Sequence, residues 1–236
     1  MGRAFEYRRA AKEKRWDKMS KVFPKLAKSI TMAAKAGGID PEMNSALRTA
    51  ISNAKAENMP KDNIEKAVKR ASGKDAAVFS EVNYEGKGPH GSLIFVETAT
   101  DNTNRTVANL KLTFNKNGGE LVKTGALEFM FARKVAIQFD KEESMDMDEI
   151  ELELIDHGLE ELAVNDATIY IQGDFTAFGT LTSAVDELGI VGFKSNLQRI
   201  PTSPIELSEE HIKDVEMLID KLEDDEDVQA VFTNIA

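Results

Sequence analysis

The sequence contains no cysteine, which excludes disulfide bonds, thiolate metal sites and a cysteine nucleophile. Aromatic residues are scarce, with one tryptophan and three tyrosines among 236 residues. No apolar run is long enough to span a bilayer, and the N-terminus lacks the apolar stretch of a secretory signal. From these absences we expect a cytoplasmic protein that is not attached to a membrane.

Residues typical of catalytic and metal sites are also few and scattered. The three histidines, His90, His157 and His211, lie in separate segments without metal-ligand spacing. No nucleophile elbow or phosphate loop of the usual pattern is present. The acidic run Glu223–Asp227 lacks the spacing of a calcium loop and is typical of a solvated turn between a helix and a strand. We therefore expect no enzyme activity, no catalytic residue, no metal and no cofactor.

Charge is abundant, and its two signs are segregated along the chain. The formal net charge is −11, yet residues 1–77 carry 18 Lys/Arg against 9 Asp/Glu. Residues 78–236 carry 12 Lys/Arg against 32 Asp/Glu. A basic segment favours phosphate binding through counterion release, and an acidic body would limit indiscriminate coating of nucleic acid. The alternative interpretation is that both parts simply have solvated charged surfaces.

Apolar residues at spacings of three and four predict three short helices between Val22 and Ala71. Asp40-Pro41 and Pro60 have the residue types of helix starts. The first helix carries Lys21, Lys25, Lys28 and Lys35, which fall within about 80° of arc and predict a basic ridge beside its apolar stripe. No recognition helix stands out, so a helix-turn-helix is only one alternative, and contacts to phosphates carry no sequence information. The candidate nucleic-acid contacts are Arg8, Arg9, Lys12, Lys14, Arg15, Lys18, Lys21, Lys25, Lys28, Lys35, Lys69 and Arg70.

The central stretch predicts a strand, a helix and a second strand. Residues 72–82 are typical of a linker, and Leu93–Thr98 has the β-branched content of a strand. The capping residues Asp101–Asn104 precede a helix that we expect to end at Gly118-Gly119. The alternation over Ala126–Phe131 predicts the second strand.

Two motifs in this stretch resemble ligand sites. Gly86-x-Gly88-x-x-Gly91 matches a dinucleotide-binding pattern but precedes a strand instead of following one, so we interpret it as a turn. The motif DNTNRT lies at a helix N-terminus, where Asn104 and Arg105 are a candidate anion contact. The alternative, which we favour, is that Asn104 or Thr103 caps the helix and Arg105 pairs with a nearby acid.

The acidic part predicts further α+β structure. Residues 140–200 show the order αββαβ of a ferredoxin-like sandwich. Ser208 precedes another amphipathic helix, and we expect the final strand, Val228–Ile235, to return to the sheet that begins near residue 91. The expected fold is multidomain α+β, with a three-helix bundle and two ferredoxin-like domains. The expected domains are 1–77, a discontinuous central domain of 78–139 and 201–236, and an inserted domain of 140–200.

The sequence resembles the YebC-type family of transcriptional regulators, one relative of which is a mitochondrial translational activator. The resemblance covers nearly the full length and is carried by NMPKDNIEKAVKRASG, YEGKGPHG, TDNTNRT, NGG and LIDKLEDDEDVQAVFTN. It implies three domains, a cytoplasmic location and nucleic-acid binding without catalysis or a metal. Members commonly begin Gly-His-Ser-Lys-Trp, whereas this chain begins with Gly2-Arg3-Ala4-Phe5-Glu6 after its methionine, so any contact of that leader is in doubt here.

Three functional hypotheses follow from the residues and the resemblance. The first is a DNA-binding transcriptional regulator whose basic segment contacts phosphates. The second is a translation factor that binds rRNA or the ribosome through the same segment, with proteins as partners of the acidic domains. The third is a non-catalytic adaptor whose basic arm binds an acidic protein surface.

Overall fold

The computed structural model describes residues 18–73 and 78–236, and these residues form seven α-helices and eight strands. The helices are α1 (Lys18–Gly37), α2 (Ser45–Ala56), α3 (Lys61–Ala71), α4 (Thr103–Lys116), α5 (Met147–Ile155), α6 (Phe178–Glu187) and α7 (Glu209–Glu223). The strands are β1 (Ser80–Lys87), β2 (Leu93–Thr100), β3 (Glu120–Leu121), β4 (Phe131–Asp140), β5 (Leu159–Asn165), β6 (Thr168–Asp174), β7 (Lys194–Pro201) and β8 (Val228–Thr233). The chain is thus multidomain α+β, as the sequence predicts.

The start of α2 differs from its prediction. The helix begins at Ser45 and not at Pro41, because the N-cap is Asn44. The Asn44 side chain accepts a hydrogen bond from the Leu47 amide at 3.1 Å and donates to the carbonyl oxygens of Ala33 and Gly38, each at 2.8 Å. This side chain therefore satisfies a free amide at the start of α2 and free carbonyls at the end of α1.

The described residues form two compact units. One consists of the described parts of 1–28, 73–132 and 199–236, and the other consists of 29–72 and 133–198. Helix α1 contributes its first half, up to Lys28, to the first unit and its remainder to the second. The predicted division into three domains stays a prediction.

The first unit is built on a four-stranded sheet with the order β3-β1-β2-β8. Strand β8 pairs antiparallel with β2, with Ile94 opposite Thr233 and Val96 opposite Val231. The C-terminal strand therefore returns to the central sheet, as expected. Helices α4 and α7 cover one face, where Leu110, Phe114, Val215, Leu218, Ile219 and Leu222 join the buried residues of β2 and β8.

A strand that the sequence analysis missed is β1. It pairs with β2 over its full length, from Ser80 opposite Thr100 to Lys87 opposite Leu93. Residues 80–82, predicted as part of a linker, belong to this strand, whose Glu81, Asn83 and Gly86 give it weak apolar alternation. Position 86 requires glycine, because a Cβ there would lie 2.3 Å from Cε1 of the buried Phe114.

The Gly86-x-Gly88-x-x-Gly91 motif forms the β1–β2 hairpin connection, which confirms that it is a turn. The Gly88 amide donates to the Ser92 carbonyl at 2.8 Å, and Pro89–Gly91 form one 3₁₀ turn between them. His90 and Gly91 have φ values of 58° and 78°, the left-handed region in which glycine is favoured. A nucleotide loop would require a helix after this motif, and here β2 follows.

The strand predicted over Ala126–Phe131 is wrong, and a buried carboxylate explains the difference. Glu85 of β1 is 2% exposed and accepts hydrogen bonds from the Gly125 amide at 2.7 Å and from the Leu127 amide. The loop before β4 wraps around this carboxylate, because an unpaired buried charge would be strongly unfavourable. The following residues form a 3₁₀ turn, and the strand begins only at Phe131.

The second unit contains the ferredoxin-like arrangement that the sequence predicts. Its elements run β4-α5-β5-β6-α6-β7, and its sheet has the order β5-β6-β4-β7. Ile137 lies opposite Ile171, and Leu162 pairs with the same residue from the other side. Within this unit the Asn53 side chain of α2 bonds to the backbone of Ser195 in β7, with distances of 2.7 and 2.9 Å.

Candidate nucleic-acid interface

The predicted cationic contacts divide into groups with different environments. Arg8, Arg9, Lys12, Lys14 and Arg15 lie outside the described residues, as does the side chain of Lys18. The remaining candidates lie on three helices. Lys21, Lys25 and Lys28 lie on the first half of α1, Lys35 lies near its end, Lys69 and Arg70 end α3, and Asn104 and Arg105 begin α4.

The first two lysines of the predicted ridge contact the end of α7. Lys21 Nζ lies 2.5 Å from Oδ1 of Asp224, and the two side chains are 47% and 39% exposed. Lys25 Nζ donates to the Glu223 carbonyl at 3.1 Å. Both ammonium groups therefore lie at a helix C-terminus, where carbonyl oxygens lack helical donors and the helix dipole favours a cation.

Lys28 is held more deeply. Its Nζ donates to the carbonyl oxygens of Ala99 and Glu226 at 2.9 and 2.8 Å and lies 3.5 Å from Oδ1 of Asp227. The Lys28 side chain is 14% exposed, and its ammonium lies 5.0 Å from the centre of the Phe79 ring. Such a lysine fastens α1 to the first unit and presents little charge to solvent.

Asp227, in the turn just before β8, is the centre of a polar network that includes β2 and α4. Its Oδ2 accepts hydrogen bonds from Thr100, Arg105 and Thr106 at 3.1, 2.7 and 2.8 Å. Burial by itself would raise the pKa of Asp227. Hydrogen bonds from Arg105, Thr106 and Thr100, together with the charge of Lys28, hold that pKa below its ordinary value.

At the start of α4, the candidate anion-binding residue Arg105 is already paired with two carboxylates, those of Asp101 and Asp227. The N-cap is Asn102, not Asn104 or Thr103, and its side chain accepts from the Arg105 amide at 3.1 Å. The Arg105 guanidinium lies 2.9 Å from Asp101 and 2.7 Å from Asp227. The hydrogen bond with Asp227, followed by that carboxylate's charge, raises the pKa of Arg105. Anion binding here stays a prediction, and the favoured alternative of an arginine paired with an acid describes these contacts.

The cations of α3 have a different environment. Its inner face is formed by Ile64 and Ala67, which are 7% and 1% exposed. On the outside, Lys61 lies 3.7 Å from Glu65 in an exposed pair. Lys66, Lys69 and Arg70 are also exposed. This surface presents positive charge directly to solvent, and Lys35 of α1 is likewise exposed.

His90 and His211 form a pair that the sequence does not predict. The rings of His90 and His211 stack with centroids 3.7 Å apart and planes 10° from parallel. His90 Nε2 also lies 2.7 Å from Oδ2 of Asp214. The two histidines are far apart in the sequence and meet because the β1–β2 turn packs against α7, so no local signal could have predicted the pair. Throughout residues 18–73 and 78–236, no group of three or more His, Cys, Asp or Glu side chains is placed to hold a metal ion.

Among the helices of residues 18–73 and 78–236, none combines the length and the apolar character needed to cross a bilayer.

Two family models cover nearly all of the chain. The model described as "TACO1/YebC protein N-terminal domain" matches residues 3–74, and the one described as "TACO1/YebC second and third domain" matches residues 79–235. Together with the α+β architecture, these matches define the class of protein. The chain belongs to the TACO1/YebC family.

Individual relatives agree with this assignment. "Probable transcriptional regulatory protein WS1016" of Wolinella succinogenes is 64% identical over 237 residues and covers 100% of both chains. "Probable transcriptional regulatory protein Cj1172c" of Campylobacter jejuni is 59% identical over 235 residues, again covering 100% of both. The crystal structure of a conserved hypothetical protein, Aq1575, from Aquifex aeolicus matches with a TM-score of 0.81 and 33% identity, covering 93% of this chain and 90% of that one.

Proposed function

We propose that this protein is a non-catalytic regulator that binds nucleic acid through its basic N-terminal segment, with duplex DNA as its leading target. The observation that carries the proposal is the segregation of charge, with 18 Lys/Arg against 9 Asp/Glu in residues 1–77. The names of the relatives as transcriptional regulatory proteins support it. A cytoplasmic location and protein partners on the acidic part remain predictions.

The surface proposed to contact phosphates first is the outside of α3. Lys66, Lys69 and Arg70 are exposed there, and the last two lie in the final turn, where the helix dipole stabilises cations. Lysine is a strongly hydrated point charge that suits phosphate oxygens and does not require a particular base. We therefore expect binding that depends on salt more than on sequence.

The same feature supports a second candidate function, a translation factor that binds RNA or the ribosome. The outer face of α3 is made mainly of lysine and acidic residues instead of the Arg, Asn and Gln side chains that read base edges. Structured RNA is recognised mostly through its shape, its phosphates and its 2′-hydroxyl groups, for which such a face is equally suited. The preferred nucleic acid therefore has to be measured.

The test is fluorescence anisotropy of the full chain with a duplex DNA and a structured RNA at 50 and 200 mM salt. The variant Lys66→Gln/Lys69→Gln/Arg70→Gln removes three exposed charges. If all three contact phosphates of duplex DNA, the slope of log K against log salt should fall by about 2.7. Because counterion release matters more at low salt, the affinity lost by this variant should be about 40 times larger at 50 mM than at 200 mM salt.

A matched control removes three exposed lysines elsewhere, in Lys111→Gln/Lys116→Gln/Lys123→Gln, with the same change in net charge. An equal loss in both variants would mean that only net charge matters and would remove α3 from the proposal. Tighter binding of RNA than of DNA by the unmodified chain would favour the translation factor. No binding of either nucleic acid would leave the adaptor hypothesis.

A further inference from the structure

The end of α7 and the turn after it supply a carboxylate and a carbonyl oxygen to two lysines of α1, Lys21 and Lys25. Asp224 contributes a carboxylate to Lys21, and Glu223 contributes a backbone carbonyl to Lys25. The two lysines are four residues apart and so lie on adjacent turns of one helix face. Phosphate oxygens of a nucleic-acid strand would need the same two ammonium donors.

The Lys21 contact is exposed and exchangeable, whereas the neighbouring Lys28 is held by several acceptors. The Lys21–Asp224 pair is well exposed, and exposed ion pairs contribute little and are screened by salt. Lys28 is 14% exposed and has two carbonyl acceptors as well as a carboxylate that is 5% exposed. Displacement of the outer pair would therefore leave α1 fastened at Lys28.

We propose that Glu223 and Asp224 form a built-in competitor that occupies Lys21 and Lys25 until a polyanionic backbone displaces it. This inference rests on the proposed function, since it concerns the regulation of the same basic segment. The ridge is then a phosphate-binding surface of the first unit whose resident occupant is the chain's own acidic turn. Weak polyanions fail to open it, and a strand that offers several phosphates in a row replaces both contacts.

The competitor also makes binding more selective. When phosphates displace Asp224 from Lys21, the Asp224 carboxylate stays close to them. Its negative charge repels the phosphates and lowers the affinity of the lysines for nucleic acid. The lysines of α1 therefore add affinity only when other basic residues already hold the nucleic acid nearby.

The experiment neutralises the competitor without changing its shape. Asp224→Asn removes the charge at an exposed C-cap position, where asparagine is well tolerated. An exposed ion pair corresponds to a factor of up to about five in an equilibrium constant. We therefore expect the affinity of the full chain for a duplex DNA or a structured RNA at 50 mM salt to rise about three- to fivefold.

Two matched variants identify the cause. Glu143→Gln removes one exposed negative charge in the loop before α5 and should change affinity by less than twofold. Lys21→Gln placed in the Asp224→Asn background should abolish the gain, whereas Lys21→Gln alone should have a smaller effect than in that background. This difference between backgrounds is the signature of a masked lysine.

The outcomes separate the two proposals. If the unmodified chain binds and Asp224→Asn behaves like Glu143→Gln, the competitor does not exist, while the proposed function stands. A gain that survives Lys21→Gln would also overturn the inference, since Asp224 would then act through bulk charge. If neither the unmodified chain nor Asp224→Asn binds, both proposals are wrong.

Discussion

Two groups of cations in the N-terminal part have similar composition and different environments. Residues 18–28 contain four lysines and no acid, and residues 29–72 contain seven Lys/Arg with five Asp/Glu. By charge alone the first stretch is the better phosphate surface. Yet Lys21, Lys25 and Lys28 contact oxygens of the first unit, whereas the cations on the outside of α3 are exposed.

The difference shows that positive charge in a sequence is not the same as positive charge available to a ligand. The acids that meet the ridge are about 200 positions away in the chain, as with Lys28 and Asp227, which are separated by 199. The acids among the α3 cations are local, and one of them, Glu65, pairs weakly with Lys61 at 3.7 Å. Acids that are distant in the sequence thus neutralise charge in the lysine-rich stretch 18–28.

The largest expected effect comes from removing the Asp227 carboxylate, which lies beside Lys28. Asp227→Ala removes the acceptor for Thr100, Arg105 and Thr106 and should lower the free energy of unfolding by about 3 kcal/mol, because buried donors lose their partner. Urea unfolding followed by circular dichroism measures it. The adjacent Glu226→Ala, which removes an exposed charge, should change stability by less than about 0.5 kcal/mol. Equal effects of the two substitutions would contradict the network's role.

The next prediction separates the deep lysine from the outer one. Lys28→Met keeps the length of the side chain and removes the ammonium from two carbonyl acceptors, so we expect a loss of about 2 kcal/mol. Lys21→Met removes an exposed pair and should lower stability by less than about 1 kcal/mol. Thermal and urea unfolding of both variants check this order. Reversal of the order would mean that Lys21, not Lys28, fastens α1.

Acid should weaken the contact between Lys21 and Asp224. The hydrogen bond from Lys21 lowers the pKa of Asp224 despite partial burial. A carboxyl whose pKa is lower in the folded state stabilises the fold above its unfolded pKa of about 3.9, and this contribution disappears as the pH falls through the folded pKa. The stability difference between the unmodified chain and Asp224→Asn, below about 1 kcal/mol at pH 7, should therefore shrink below pH 4. Urea midpoints from pH 7 to pH 3 measure it, and a constant difference would exclude this carboxyl as the cause.

The smallest expected effect concerns stability at the exposed group. Lys66→Gln/Lys69→Gln/Arg70→Gln should change the free energy of unfolding by no more than about 0.5 kcal/mol in total, since these side chains are solvated and glutamine is a good helix former. Thermal unfolding at 50 and 200 mM salt measures the change. A large loss of stability would show that α3 uses these charges for folding and would make its binding data uninterpretable.

Much of the fold could be predicted because its signals are local. The spacing of apolar residues predicts α4, α5, α6 and α7, and Ser208 caps α7 as expected, accepting from the His211 amide at 3.3 Å. Within the predicted order αββαβ, the two adjacent strands pair as β5 and β6 through a turn in which Asp166 lies in the left-handed region at a φ of 52°. The predicted start of α2 is wrong by a few residues, and the strand predicted over Ala126–Phe131 is wrong because Glu85, about 40 residues away, holds that loop.

The candidate site was less predictable than the fold. Helical periodicity places Lys21, Lys25 and Lys28 near one face, but it carries no information about which element covers that face. Arg105 was recognised as a cation at a helix start, whereas its partner Asp227 lies 122 positions away. The stacked pair of His90 and His211 had no local signal at all.

The α+β class, most helix positions and the separation of basic and acidic segments follow from composition and from spacings of a few residues, so they can be predicted from the sequence. Which lysines face solvent and which contact oxygen acceptors depends on the folded structure, because the energy of a charge is set by its neighbours and its burial. For Lys28 and Asp227 those neighbours come together only after β8 has paired with β2 and α1 has packed against the end of α7.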